Sequence, residues 1–264
     1  MAETDLALSA RGIRMEYRDR SSDVRLVAIE AMDLDVADGE FVSLLGPSGC
    51  GKSTFLKLVN GLLKATAGEI RLRRNAKGRE DAMVFQDAAL FPWYSVLDNV
   101  AYGLVCAGVA NVEARKRAAP LVELVGLQGF ETKYPYQLSG GMQQRANLAR
   151  ALAVDAPILL MDEPFASLDA QTREVMQAEL LRIWNTAKKT VVFVTHQIEE
   201  AVYLSDRVVV MSARPGRILA DIRIDLPRPR ALEVKRSAEF TSYAAQIWKL
   251  LSSHGAPAAS GQEG

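Results

Sequence analysis

Three short segments of the chain have residue types and spacing suited to chemistry on a phosphate ester. They are GPSGCGKST at positions 46–54, LSGGMQQR at 138–145 and ILLMDEP at 158–164. Glycines beside a lysine and a serine can surround a phosphate with donors, and adjacent carboxylates at a strand end can hold a metal ion and activate a water. Together the three segments predict a chain that hydrolyses a nucleoside triphosphate.

The first segment fits the GxxxxGKS pattern of a phosphate-binding loop. A short apolar strand, Phe41–Leu45, precedes it, and apolar residues at helical spacing follow it from Ser53 to Leu63. The glycines let backbone N–H groups face the phosphates, Lys52 can reach the β and γ phosphates, and the Ser53 hydroxyl can ligate Mg²⁺. A glycine-rich turn without a ligand is the alternative. The residues predicted to bind ATP here are Gly46, Pro47, Ser48, Gly49, Cys50, Gly51, Lys52, Ser53 and Thr54.

The third segment predicts a metal ligand and a general base. Ile158–Met161 reads as a buried strand of a parallel sheet, and such sheets bind ligands at the carboxyl ends of their strands. Asp162 at this end is predicted to hold Mg²⁺, directly or through water, and Glu163 to polarise the attacking water. The alternative is a solvated acidic loop.

Two further strand ends are predicted to face the nucleotide. His196 follows the apolar run VVFVT and is predicted to contact the γ-phosphate, although a histidine at a strand end is also common as a structural hydrogen-bonding group. Gln86 follows another apolar run and is a neutral candidate ligand for Mg²⁺ or for the attacking water.

The second segment predicts a second phosphate-binding tip. Ser139, Gly140 and Gly141 begin a predicted helix, and a serine N-cap followed by glycines leaves backbone donors available to an anion. An ordinary helix start is the alternative. Because the chain already has a complete phosphate loop, a second tip is explained if it contacts the ATP of another copy. The sequence therefore predicts ATP sites shared between two copies.

The order of elements predicts an α/β fold with a P-loop NTPase core. Strand–helix alternation from Ile158 to Met211 predicts a parallel sheet with helices on its faces. An N-terminal antiparallel β subdomain precedes this core, residues 69–86 are predicted to form a hairpin that leads into another strand, and residues 88–157 are predicted to be an inserted helical lobe. The core domain is predicted to cover residues 1–230, with a C-terminal helix and a disordered tail in 231–264.

Composition narrows the partners and the compartment. The chain has 264 residues with 32 basic and 32 acidic side chains, so no overall basic field points to a nucleic acid. Cys50 and Cys106 are the only cysteines, which is typical of a reduced cytosolic protein, and we expect alkylation of Cys50 to inhibit and ATP to protect it. No apolar run reads as a signal peptide or approaches the roughly 20 residues that span a bilayer, so if the protein works at a membrane, we expect a partner to hold it there.

In this order the motifs resemble the ATP-binding subunits of ABC transporters, over roughly residues 6–230, and LSGGM is the most specific of them. The resemblance implies that Tyr17 stacks on adenine, that Gln86 links the nucleotide state to membrane subunits, that Ser167–Asp169 crosses a dimer interface, and that His196 senses the γ-phosphate. It also implies a head-to-tail homodimer with two ATPs, each held by the phosphate loop of one copy and by Ser139, Gly140 and Gly141 of the other.

A narrower similarity is to importer ATPases for nitrate, sulfonates and taurine. It is carried by FQDAALFPWYSVLDNV at 85–100, THQIEEAVYLSDRV at 195–208, ARPGRI at 213–218 and DLPRPR at 225–230. This similarity implies two transmembrane permease subunits, a periplasmic solute-binding protein that acts indirectly, and a peripheral position at the cytoplasmic face of the plasma membrane. The aromatic residues Phe91–Tyr94 are expected to dock a permease helix, with a place in the lobe core as the alternative.

Some positions depart from the family pattern, and other functions compete. Met142 replaces a commoner glutamine, Gln197 replaces aspartate, and Arg71–Asp81 lacks the usual Asp-Gly turn. A soluble ABC ATPase acting on a macromolecular partner usually has two cassettes or a long coiled coil, and neither is present in this sequence. A P-loop kinase would not need LSGGM, and a catalytically dead binding module would not need Lys52 together with two acidic residues at the strand end.

Overall fold

The computed structural model describes residues 6–18, 25–74 and 81–254. In chain order its elements are β1 (Leu6–Arg18), β2 (Arg25–Ala37), β3 (Phe41–Leu45), α1 (Lys52–Val59), β4 (Ala67–Leu72), β5 (Asp81–Val84), α2 (Val96–Cys106), α3 (Asn111–Leu124), α4 (Gly140–Ala153), β6 (Ile158–Asp162), α5 (Ala170–Ala187), β7 (Thr190–Thr195), α6 (Ile198–Leu204), β8 (Arg207–Met211), β9 (Ile218–Arg223) and α7 (Ala238–His254). Short 3₁₀ turns lie at Pro135–Gln137 and Leu232–Arg236.

The chain divides into two compact units. The first unit consists of the residues up to Leu72 together with those from Val194 onward, and the second runs from Arg73 to Phe193. The second boundary falls within β7, after Phe193.

The first unit contains an antiparallel sheet in the order β2-β1-β4. The long strands β1 and β2 bury alternate residues over much of their length; Leu8 and Ala10 are fully buried, and a register shift between Ala10 and Ile13 lets the buried pattern continue at Ile13. Alternate side chains of a strand point to opposite faces, which explains the mixed pattern of the sequence. The predicted antiparallel N-terminal subdomain is confirmed.

The strands that support the phosphate loop also lie in the first unit, in the order β3-β8-β9. β3 is parallel to β8, and β9 runs antiparallel to β8. All five residues of β3 are buried, so its sequence is continuously apolar apart from Ser43, as expected for a strand covered on both faces. Helix α1 begins at Lys52 and ends earlier than predicted, because Gly61 adopts a left-handed conformation (φ +77°) just after Asn60.

The C-terminal elements of the first unit confirm the predicted amphipathic helix. α7 packs against α6 with Phe240 and Ile247 buried, while Trp248 stays exposed. The helix extends to His254, so the start of the predicted tail is helical. Residues 255–264 of that tail lie outside the described residues.

The second unit contains the strand order β5-β6-β7, in which β5 and β6 are parallel. Every residue of β6 is buried. Helices α2, α3 and α4 fall within residues 88–157 and pack on one another. The described helices include none that is long and apolar enough to cross a bilayer.

The predicted hairpin at residues 69–86 is corrected by the strand pairing. β4 pairs with β1 in the antiparallel sheet, whereas β5 pairs with β6 in the parallel one, so the two strands belong to different sheets. The apolar residues Ile70 and Leu72 find partners on β1 and not on the strand that follows in sequence. Residues 75–80 lie outside the described residues.

Candidate functional site

The phosphate loop, residues 46–54, joins β3 to α1 in the first unit. Gly51 precedes the helix with φ +95°, and a Cβ at this position would lie 2.8 Å from Cγ1 of Ile29 and 3.0 Å from the carbonyl oxygen of Ala28. Glycine is therefore required both by the backbone conformation and by the contact with β2.

Lys52 directs its ammonium into this loop. Its side chain is almost fully buried, and Nζ donates to the carbonyl oxygens of Gly46 at 2.8 Å and Pro47 at 3.0 Å. The ammonium lies at the N-terminal end of α1, where the unpaired backbone N–H groups also favour an anion. A phosphate bound in the loop would offer its oxygens to this ammonium in place of the two carbonyls.

Cys50 is buried in the structure, whereas the sequence predicts a thiol that reagents can reach. Its side chain is fully buried, Sγ accepts a long contact of 3.7 Å from Lys52, and burial raises the pKa of the thiol. Because the thiolate is the reactive form, both burial and the raised pKa slow alkylation. Inhibition by thiol reagents at Cys50 stays a prediction that its burial argues against, and Cys106, which is exposed, is the thiol expected to react first.

Tyr17 lies beside the same loop. It is the penultimate residue of β1, its side chain is partly exposed, and its hydroxyl lies 3.4 Å from Oγ1 of Thr54. The contact places an accessible aromatic ring next to the first turn of α1. Stacking of this ring on adenine stays a prediction.

His196 follows β7 in the first unit and is exposed. The turn that carries it is fixed by two neighbours: the Thr195 hydroxyl bonds to the buried carboxylate of Glu200 and accepts the N–H of Gln197 at 3.0 Å. Sequence reasoning missed Thr195 and Glu200, because neither carries a motif of its own. The contact between His196 and a γ-phosphate is likewise untested and stays a prediction.

Asp162 and Glu163 end β6 in the second unit. Asp162 is buried, whereas Glu163 is half-buried with a left-handed backbone (φ +45°). This conformation costs a residue other than glycine about 1–3 kcal/mol and is found mainly where function requires it. The turn is held by the N–H of Ala166, which donates to the Glu163 carbonyl at 3.1 Å, and by Phe165, whose ring packs on Phe193.

Ser139 begins α4 as predicted. It is the N-cap of this 14-residue helix, its hydroxyl accepts from the N–H of Met142 at 3.3 Å, and Ser139 and Gly140 are exposed. At Gly141 a Cβ would approach Cδ2 of Leu168 to 3.0 Å, so the helix start and the segment after Glu163 pack closely. The exposed tip has the donors for an anion.

The body of α4 holds the loop that contains Gln86. The side-chain amides of Gln144 and Asn147 each donate to the carbonyl of Phe85 at 3.2 Å, and Arg150 donates to the carbonyl of Ala89 at 2.8 Å. Both amides are buried, whereas Gln86 itself is exposed. One helix therefore carries the exposed glycine tip at its start and positions the Gln86 loop with its middle. Sequence reasoning missed this link, because hydrogen bonds from side chains to backbone leave no periodic pattern.

Asp169 caps α5. Its carboxylate accepts from the backbone N–H of Thr172 at 2.9 Å, and this bond, the largest cause, lowers the pKa of Asp169. The side chain is exposed, and so is Ser167. The predicted interface role of this segment is compatible with its exposure and is not tested by it.

The aromatic residues after Gln86 form a cluster in which Phe91, Tyr94 and Tyr102 are half-buried and Trp93 is exposed. The ring centroids of Phe91 and Tyr102 lie 4.5 Å apart, and Phe91 also contacts Trp93 and Tyr94. Trp93 is 66% exposed. Phe91 therefore packs on its aromatic neighbours, whereas Trp93 presents an apolar surface to solvent, and docking of a permease helix at this surface stays a prediction.

Comparison with known protein families places these motifs in context. A family model described as ABC transporter matches residues 29–166. An uncharacterised ABC transporter ATP-binding protein of Methanocaldococcus jannaschii is 50% identical over 230 residues, which cover 86% of this chain and 85% of that protein.

Two further relatives carry transport names. The taurine import ATP-binding protein of Roseobacter denitrificans is 43% identical, covering 92% of this chain and 93% of its own length. The nitrate import ATP-binding protein of Synechocystis is 42% identical, covering 86% of this chain and 88% of its own length. Among solved structures, a dimeric ATP-binding cassette in a post-hydrolysis state with ADP and Pi is 31% identical with a TM-score of 0.74, covering 83% of this chain and all of that one.

Proposed function

This chain belongs to the ABC transporter family and is an ATPase, and we propose that it is the ATP-hydrolysing subunit of an importer. Import, as opposed to export, is proposed because relatives are named as taurine and nitrate import proteins, and for the same reason the expected cargo is a small anion or organic solute. Transport would then require two permease subunits and a periplasmic binding protein. The chain would act at the cytoplasmic face of the membrane, as a peripheral subunit.

The donor set fits ATP with Mg²⁺. Mg²⁺ takes hard oxygen ligands, keeps several waters and is usually held by one or two protein groups plus phosphate oxygens. The Ser53 hydroxyl, the buried Asp162 carboxylate and the Gln86 amide oxygen are such donors. The described part of the chain contains no cluster of three or more His, Cys, Asp or Glu residues able to hold a metal by itself, which agrees with a metal held largely by its nucleotide. When bound, Mg²⁺ would neutralise charge on the β and γ phosphates.

We propose a separate role in ATP hydrolysis for each of these residues. Lys52 and the N–H groups of the phosphate loop bind the phosphates, and Glu163 takes the proton of the attacking water as general base. His196 contacts the γ-phosphate, and Tyr17 packs on the adenine. Gln86 reports the state of the nucleotide to the permease, with Trp93 at the docking surface.

One observation carries the proposal of a homodimer. The chain has a complete phosphate-loop motif in its first unit and a separate helix start at Ser139, Gly140 and Gly141 in its second, where Ser139 and Gly140 are exposed. We infer that this tip binds the ATP held by a second copy. Two ATPs would then draw the copies together, and hydrolysis would release them, since a ligand shifts a conformational equilibrium only through contacts that differ between the two states.

A reconstituted transporter tests this function. The genes beside its own are first searched for a permease and a binding protein; the chain is then co-expressed with these, purified as a complex and placed in lipid vesicles. We expect ATP hydrolysis to be stimulated by the solute-loaded binding protein and to drive uptake of taurine, a sulfonate or nitrate. The variant E163Q is the matched control, since it should assemble with the same permeases and transport nothing.

Two results would contradict the importer. One is a chain that hydrolyses ATP but associates with no permease. The other is a chain that purifies with ribosomes or DNA, which would favour a soluble ATPase acting on a macromolecule.

A further inference from the structure

The turn between β8 and β9, residues 212–217, is built as a rigid loop. The hydroxyl of Ser212 donates to the carbonyl of Pro215 at 2.9 Å and accepts the N–H of Arg217 at 3.0 Å. The backbone of Gly216 then pairs with β2: its N–H donates to Ala28 at 2.9 Å, and its carbonyl accepts from Glu30 at 3.0 Å. The turn is therefore anchored along the edge of β2, on the side of the phosphate loop.

Two residues of this turn contact the phosphate loop directly. A Cβ at Gly216 would lie 2.0 Å from the carbonyl oxygen of Cys50, so the two backbones are in close contact. Arg214 donates from Nε to the carbonyl of Gly49 at 3.3 Å, and its Nη2 lies 3.0 Å from the place that a Cβ on Gly49 would take. The guanidinium thus covers the apex of the loop.

The contact with Gly49 fixes the direction of the next amide. The carbonyl of Gly49 and the N–H of Cys50 belong to one planar trans peptide, so they point in opposite directions. Since Arg214 holds the carbonyl on the outside, the N–H of Cys50 is directed inward, where it donates to the carbonyl of Pro47 at 3.4 Å. The ammonium of Lys52 donates to the same carbonyl at 3.0 Å, so the amide and the ammonium converge on one point inside the loop.

The contacts from Arg214 and Gly216 can matter for the phosphate loop because its glycines make it flexible. Gly49 and Gly51 both have positive φ, at +77° and +95°, and glycine has the most conformational freedom to lose when it is ordered. A loop that is held in its binding conformation before the ligand arrives loses less entropy on binding.

We propose that Arg214 and Gly216 are positioning residues of the phosphate loop, which hold the Gly49–Cys50 peptide so that its N–H faces the polyphosphate of the nucleotide. The inference rests on the proposed function only in that the loop binds ATP. It concerns neither the cargo nor the permease, and neither residue touches the reacting atoms.

Nucleotide titrations of the purified chain test the proposal. The dissociation constants of ATP and ADP with Mg²⁺ are measured by calorimetry for the wild type and for Arg214→Ala, Arg214→Lys and Arg217→Ala. Arg217→Ala is the matched control, because this residue of the same turn forms an exposed ion pair with Glu30 at 2.5 Å and exposed pairs contribute little. Thermal unfolding without nucleotide is measured in parallel.

We expect Arg214→Ala to weaken both nucleotides by roughly 3- to 10-fold, the usual range for one hydrogen bond. The KM for ATP should rise by the same factor with kcat nearly unchanged, as for a contact equal in ground and transition states. Arg214→Lys should restore part of the affinity, and Arg217→Ala should bind as the wild type does. Gly216→Ala should weaken binding more, because its methyl group must displace the Cys50 carbonyl.

Three results would overturn the proposal: Arg214→Ala with wild-type affinity, an equal loss of affinity in Arg217→Ala, or a fall in thermal stability without a change in affinity. A failure of the function itself looks different, because the wild-type chain would then bind no ATP. If Gly216→Ala does not fold, the arginine variants still decide the outcome.

Discussion

Glu163 combines a carboxylate at a strand end with a backbone conformation that an ordinary residue avoids. Its φ of +45° is maintained by the Ala166 hydrogen bond and the packing of Phe165, so the backbone that carries the carboxylate has a defined conformation. A general base needs such placement, since proton transfer requires hydrogen-bonding distance in the reacting complex. We expect E163Q to bind ATP normally and to hydrolyse it roughly 10²–10⁴ times more slowly.

Equilibrium binding and single-turnover hydrolysis measured on the same preparation check this prediction. Glu123→Gln, an exposed substitution on α3, is the matched control and should leave both unchanged. Hydrolysis by E163Q at close to the wild-type rate would show that another group takes the proton.

Cys50 and Cys106 give a second residue-scale prediction, because one thiol is buried and the other is exposed. Burial raises the pKa of Cys50, so the folded chain keeps this thiol protonated to a higher pH than the unfolded chain does. Raising the pH through that range therefore destabilises the folded state and increases the thiolate fraction at the same time.

Peptide mapping after timed alkylation at pH 7.5 and pH 9.5 measures the two rates. We expect iodoacetamide to label Cys106 well before Cys50 at the lower pH, with little loss of ATPase activity, and the two rates to approach one another at the higher pH. Cys106→Ser removes the fast site and shows the slow one alone. Cys50 labelling as fast as Cys106 at pH 7.5 would mean that the loop opens readily in solution.

At the scale of the element, α4 provides the clearest case of one helix serving two regions. Its start presents Ser139, and its middle holds the Phe85 carbonyl with Gln144 and Asn147. Substitution Asn147→Leu removes one of these donors and also the acceptor for Arg150 at 2.7 Å. A buried hydrogen bond lost in this way costs about 1–3 kcal/mol. We therefore expect lower thermal stability and faster amide exchange, concentrated in residues 86–90.

Hydrogen exchange followed by mass spectrometry locates this effect. Gln143→Ala is a matched control on the same helix, because its amide donates to the carbonyl of Pro135 at 3.0 Å. This control should raise exchange near the Pro135–Gln137 turn and leave residues 86–90 unchanged. Equal exchange in both variants at 86–90 would mean that α4 does not hold the Gln86 loop.

The elements that sequence could predict are those with a local pattern. β3, the phosphate loop and α1 follow from an apolar run, a glycine motif and helical spacing, and Ser139 is recognisable as a helix start. The partner of β4 was not predictable, because a short strand with few apolar residues does not identify the sheet it joins. The roles of Asn147 and Arg214 could not be predicted either. Both side chains donate to backbone carbonyls, and since every residue has a carbonyl, the sequence does not show which one is the partner.

Arg230 is another residue whose hydrogen bonds to backbone carbonyls could not be predicted, although it belongs to a motif that the sequence analysis used. DLPRPR was useful only as a mark of similarity, yet the buried guanidinium of Arg230 donates to the carbonyls of Val202, Tyr203 and Ser205 at the end of α6. Burial lowers the pKa of Arg230 to about 10, so the side chain stays charged at neutral pH. It caps the helix that follows His196, a role that appears only when the chain is folded.

At the scale of the whole molecule, the phosphate loop and the Ser139 tip belong to different compact units of one chain. The formal charge of zero gives the chain no net attraction toward a nucleic acid or an anionic membrane, and the proposed partners would be selected by specific contacts. The proposed homodimer supplies such contacts twice, because a two-fold axis repeats each contact between the same two surfaces.

Mixing two inactive variants tests whether the tip of one copy serves the ATP of the other. Lys52→Ala disables the phosphate loop and leaves the tip intact, whereas Ser139→Arg blocks the tip and leaves the loop intact. In a mixed dimer one site combines both defects, and the other combines the intact loop of one copy with the intact tip of its partner. Random pairing at equal amounts then predicts a rate of roughly a quarter of the wild-type ATPase rate, although each variant alone is inactive.

The ATPase rate per molecule of protein should also rise with total protein concentration, because the active species is a pair. Mixing Lys52→Ala with Lys52→Ala/Ser139→Arg is the matched control and should stay inactive, since no intact loop is present. Light scattering in the presence of ATP shows whether the mixture forms mixed dimers. If mixed dimers form but the mixture is as inactive as its two components, two explanations are left. Either Ser139 acts on the ATP of its own chain, or one intact site cannot turn over alone. Measuring the affinity of the mixture for ATP distinguishes these two explanations. If the tip of one copy serves the ATP of the other, one ATP per mixed dimer is bound more tightly than by either variant alone. Equal affinities would exclude this arrangement.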